Sequence, residues 1–165
     1  DTGENTTPID DDFTVELTLY GGCSDIFMYA KNSDDSLGLF ISASALVETT
    51  FSADAGTHVF NLDVATAENN LSIVVQSGQN ITREACNDAL EEDMQPVVHF
   101  EGKATSGNAQ FSITPAGEAT DWGEMPANAT LILEDVVFPD ASGDDQKSLK
   151  INNWGFDAAV GWLPG

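Results

Sequence analysis

The chain has 165 residues, enough for one domain with a core of useful size, and 41% of them are hydrophobic, an ordinary share for a globular protein. Twenty-eight acids face five bases, a net charge of −23, which argues against nucleic-acid binding and against docking on anionic membrane surfaces, since both would be repelled. No apolar run is long enough to span a bilayer.

Such a charge fits a saline habitat, where salt screens the self-repulsion, better than it fits cation binding or plain solubility outside the cell. The habitat reading requires no site. The chain starts at Asp1 rather than Met, which reads as a processed or trimmed chain, from which a secretory leader would already have been removed, so that the absence of one is uninformative.

Residues 1–12 (DTGENTTPIDDD) hold five acids and one aliphatic side chain, the composition of a polar tether. Residues 13–165 then read as a single domain. From Phe13 to Tyr20 the pattern alternates, with Phe13, Val15, Leu17 and Leu19 on one face and Thr14, Glu16, Thr18 and Tyr20 on the other. Period two predicts a strand with one buried face, and Gly21-Gly22 is expected to end it just before Cys23.

Asp25–Ala30 (DIFMYA) is a short apolar and aromatic run, followed by a turn cluster at 31–35. Ser36–Ser42 alternates again through Leu37, Leu39 and Ile41, and Ala45–Ser52 reads as a further strand. His58, Phe60, Leu62 and Val64 share the face of the next one. Leu71–Gln76 has the apolar density of a central strand, with a turn expected at Ser77–Asn80. Thr82–Met94 is the only stretch with helical character, and it is weak, because Ala85 gives no capping box.

Pro96–Lys103 and Ala109–Pro115 are predicted to form a hairpin around Ser106-Gly107-Asn108. Residues 115–128 read as an excursion loop carrying Trp122. Ala129–Phe138 is a long strand, Pro139–Asp145 an acidic turn, and Lys147–Ile151 a strand. Asn152-Asn153 leads to a last one, Trp154–Leu163. About nine to eleven strands with Gly, Asn, Asp or Pro between them predict an all-β antiparallel sandwich, jelly-roll or immunoglobulin-like, with at most one short helix near 82–93.

Cys23 and Cys86 lack the spacing of a zinc site or a redox motif, and read as a disulfide of a secreted or cell-surface protein. Asn5, Asn70, Asn80 and Asn128 head four glycosylation sequons, where the Asn, Ser and Thr content alone would give about two, so they allow glycosylation without indicating it. Asp140, Ser142, Asp144 and Asp145 place oxygens at alternate positions around Gly143 and nominate calcium, although Ile151 stands where an EF-hand loop needs its closing Glu. His58 and His99 have no metal-ligand or triad partners at motif spacing, and the other acidic clusters read as solvated turns. Trp154 and Trp162 read as core residues at the ends of their strand, and Trp122 as the likeliest exposed aromatic.

The expected function is a non-enzymatic, secreted or cell-surface β-sandwich with a structural or adhesive role. It includes a filament subunit that joins copies of itself by strand addition through Phe13–Tyr20 or Trp154–Leu163. The alternative is an extracellular carbohydrate-binding module centred on Trp122. A glycoside hydrolase with a carboxylate pair is less favoured, and the sequence nominates no residue for it.

Overall fold

The computed structural model describes residues 13–23, 26–43, 56–66, 71–83, 85–86, 95–116, 126–139 and 148–160. The polar segment 1–12, the strand expected at Ala45–Ser52, Trp122, Trp162 and the whole calcium candidate lie outside them. The strands are β1 (Leu19–Cys23), β2 (Phe27–Lys31), β3 (Leu37–Ser42), β4 (His58–Asp63), β5 (Ser72–Gln79), β6 (Val97–Lys103), β7 (Ser106–Pro115), β8 (Ala127–Phe138) and β9 (Leu149–Val160).

They form two antiparallel sheets packed face to face, one ordered β1-β2-β3-β5-β6 and the other β4-β7-β8-β9. The chain is thus an all-β sandwich. The core between the sheets takes alternate side chains from each: Met28, Ala30, Leu39 and Ile41 from the first, Phe111, Ile113, Leu131 and Leu133 from the second, all fully buried.

The opening segment departs from its expected form. Phe13–Glu16 is one 3-10 turn rather than a strand, and extended pairing begins only at Leu19. Phe13 and Leu17 are 0% and 1% exposed, whereas Val15 is 73% and Leu19 47% exposed. Positions i and i+4 share a face in both a strand and a helical turn, so Phe13 and Leu17 satisfied both patterns. Only position i+2 separates them, and Val15 points outward. Phe13 meets Phe138 edge to face at 6.1 Å within the core.

Gly21 and Gly22 do not end β1 but lie within it. A Cβ on Gly22 would stand 2.6 Å from the Ala159 carbonyl oxygen, so this glycine lets an edge strand of one sheet close against an edge strand of the other. Tyr20 seals the same seam, stacked on Phe156 at 5.2 Å, with Trp154 alongside.

The expected hairpin between Pro96 and Pro115 is not one. β6 belongs to the first sheet and β7 to the second. Consecutive amides mark the handover: Ala104 N–H donates to Ile73 O, and Thr105 N–H to Val137 O. Gly107 serves a bulge against β8 instead of a hairpin turn, with φ +121 and no room for a Cβ beside Val136.

The two strands expected after residue 146 are one, β9. Asn152-Asn153 does not break it; both are exposed there, and the buried parity switches from Leu149 and Ile151 to Phe156 and Val160. The turn expected at Ser77–Asn80 comes late, since β5 runs on to Gln79 through a bulge at Ser77/Gly78. No α-helix occurs among the described residues, and Ile81–Arg83 and Ala85–Cys86 form a turn in which Ala85 N–H donates to Thr82 O.

Two devices hold that turn. The Cys23–Cys86 disulfide bridges 63 positions and ties it to the end of β1. From the other side, Asp35 in the β2–β3 loop accepts hydrogen bonds from Thr82 N–H (3.0 Å) and Thr82 Oγ1 (2.6 Å). Asp35 itself is set by φ 59 and by Asn32, whose Oδ1 caps Ser36 and Leu37 N–H. Asp35→Ala is expected to lower stability by about 2 kcal/mol in chemical denaturation, because Thr82 is buried and loses a charged acceptor. Asp35→Asn keeps an oxygen acceptor and tolerates the backbone, so it should cost less.

Candidate functional site

The two outer faces of the sandwich differ in chemistry. On the four-stranded sheet the outward row across β7, β8 and β9 is Ser112, Thr130 and Asp157, and Gln110 Nε2 donates to Asn61 Oδ1 at 3.0 Å. That face is mainly polar, with two aliphatic side chains among the polar ones: Val59 on β4, 56% exposed, continues the first row, and Ile132 pairs with Gln110 in the next.

The outer face of the five-stranded sheet is aromatic and aliphatic. Antiparallel register aligns Gly21, Tyr29, Phe40, Val74 and Lys103 in one cross-strand row, and Lys31, Gly38, Gln76 and Glu101 in the next. The glycines explain how the rings sit. A Cβ on Gly21 would lie 2.5 Å from Tyr29 Cζ, and one on Gly38 would lie 3.0 Å from Phe40 Cζ, so each ring lies across bare backbone. Phe27, two positions along β2 on the same face, lies 6.2 Å from Tyr29 and 6.3 Å from Phe40, with interplanar angles of 37° and 24°. Three half-buried rings form a strip on the sheet surface.

A groove of about 480 Å³ continues from Phe27 and Phe40 over Val74 toward β6. Ile81, Ala85, Pro96 and Val98 add to its apolar lining. Gln76 Nε2 donates to Glu101 Oε2, placing an amide and a carboxylate within an otherwise apolar lining. The wall at Ala85 adjoins the disulfide, and Thr82 beside Ile81 is the residue clamped by Asp35. Both devices that hold the turn therefore anchor the part of the lining that it contributes. Two of the five basic residues, Lys31 and Lys103, occupy outward positions on this same face.

The residues nominated from sequence fall elsewhere. His58 lies half-buried on edge strand β4, and His99 is exposed on edge strand β6 in the other sheet, so the fold does not bring them together. Among the described residues no group of three His, Cys, Asp or Glu is placed to hold a metal ion. Of the sequons, Asn128 and Thr130 are exposed on β8, whereas the Thr82 hydroxyl that completes the Asn80 sequon is buried and bound to Asp35. Asn5 and Asn70 lie outside the described residues.

Sequence reasoning missed Phe27, Tyr29 and Phe40 as site residues, though a signal was present. In Phe27-Met28-Tyr29-Ala30 and in Leu39-Phe40-Ile41 both parities are apolar, which marks a strand with chemistry on each face. No described helix is long and apolar enough to cross a membrane. Comparison with protein-family models, with characterised proteins and with solved structures gives no match, so the face is read on its own geometry.

Proposed function

We propose that this chain is a non-catalytic, secreted or cell-surface β-sandwich with an adhesive role, whose recognition surface is the outer face of the five-stranded sheet. The aromatic strip carries this reading. A protein with 28 acids has ample charge to solvate its surface, yet this face carries Tyr29, Phe27 and Phe40 beside an apolar groove. A concave apolar patch with a few convergent polar groups is the usual form of a binding site. The disulfide supports an oxidising location, where such bonds persist.

We rank a filament joined by strand addition through Phe13–Tyr20 or Trp154–Leu163 second, since donating Phe13–Tyr20 would have to withdraw the buried Phe13 and Leu17 from the core. The adhesive reading is tested by sedimenting the purified protein with extracellular matrix and cell envelopes of its source organism, at growth salinity. The wild type should be retained. Val98→Glu, a groove substitution at a side chain already 45% exposed, should release it without unfolding it. A wild type left in the supernatant would contradict adhesion, and retention indifferent to Val98→Glu would move the surface elsewhere.

A further inference from the structure

Resting on the adhesive reading above, we propose that the ligand of this face is a neutral oligosaccharide, laid along Tyr29, Phe27 and Phe40 with its end in the groove. The ring geometry is the first argument. Phe27 and Phe40 are stacked at 6.3 Å and 24°, and Tyr29 is tilted against Phe27 at 6.2 Å and 37°, so the three rings form one continuous aromatic cluster. Tyr29 and Phe40 lie down over glycine backbone, so the strip offers ring faces rather than a closed socket. A pyranose stacks its apolar C–H face on such a surface. Successive rings a little over 6 Å apart suit successive sugars of one chain.

The second argument is the polar pair. Glu101 is exposed and Gln76 half-buried beside the strip, and their mutual hydrogen bond leaves further lone pairs and an N–H available to sugar hydroxyls. The third is charge. A net charge of −23 disfavours the approach of sulfated and uronic polymers even though Lys31 and Lys103 share this face, whereas a neutral chain meets no such barrier. The groove, about 480 Å³, is within the size range of small-ligand sites.

The test is an NMR titration of the intact protein at high salt with cellotetraose and mannotetraose, and with a sulfated oligosaccharide as the charged control. At least one neutral tetrasaccharide should shift the ring protons of Phe27, Tyr29 and Phe40. Tyr29→Ala should weaken binding about tenfold, while Tyr29→Phe keeps most of it. Glu101→Gln, at an exposed position where folding is not at issue, should weaken it by a smaller factor. Absence of ring shifts with both neutral sugars, in a protein still retained on matrix, would overturn the ligand class and leave the adhesive reading standing. Tighter binding of the sulfated sugar, or shifts confined to Tyr20 and Trp154, would overturn it as well.

Discussion

Phe13→Ala is expected to lower the unfolding free energy by about 3–5 kcal/mol, while Val15→Ala changes it by less than about 0.5 kcal/mol. Phe13 is fully buried and packs edge to face on Phe138, so truncation leaves a cavity in the core. The loss has two parts, the transfer of the removed ring and the unfilled space that rigid strands cannot collapse into. Val15 is 73% exposed and has no such role. The pair discriminates sharply between the two forms of the opening segment. A strand with Phe13, Val15, Leu17 and Leu19 on one buried face would make both substitutions costly. Urea denaturation of the two variants, at one fixed high salt concentration, gives the comparison directly.

Removing the disulfide with Cys23→Ser and Cys86→Ser together is expected to cost about 4 kcal/mol in the chain-entropy account, because the bridge closes a loop across 63 positions. For a domain of this size that corresponds to a fall in melting temperature of about 8–16 °C. Reduction of the wild type should reproduce the loss. The bond has a local consequence too, since it anchors the turn whose Ala85 walls the groove. Amide exchange around Ile81–Ala85 should therefore accelerate more than exchange in β8, which lies between two strands of the other sheet. An unchanged denaturation midpoint would show that the unfolded chain gains little freedom when the bridge is removed.

Much of the sandwich was legible because most of its strands bury one face. Leu37, Leu39 and Ile41, or Ala109, Phe111 and Ile113, could hardly alternate for another reason, and all six are buried. What failed were features whose local chemistry serves two structures. Phe13 and Leu17 fit a strand and a helical turn equally. Gly107 fits a hairpin turn and a bulge, and only non-local partners, Ile73 for Ala104 and Val137 for Thr105, decide that the chain changes sheets. Asn152-Asn153 resembles a turn, yet it marks where β9 changes its buried parity.

The candidate face was less legible than the fold. Its rings come from β2 and β3 and its polar pair from β5 and β6, brought together only by register. Of the glycines that seat the rings, Gly21 reads in sequence as the end of a strand, and Gly38 lies unmarked inside the alternating run Ser36–Ser42. Trp122, the aromatic favoured from sequence, and the oxygens of Asp140, Ser142, Asp144 and Asp145 lie outside the described residues.

Hydroxyl-radical footprinting of the matrix-bound protein against the free protein tests the central claim most directly, because it reads individual side chains on both faces and the seam. The account predicts that Phe27, Tyr29 and Phe40 become protected on binding, while Tyr20 and Trp154 at the β1–β9 seam oxidise as before. Protection confined to the seam or to the four-stranded sheet, with the three rings unchanged, would contradict it.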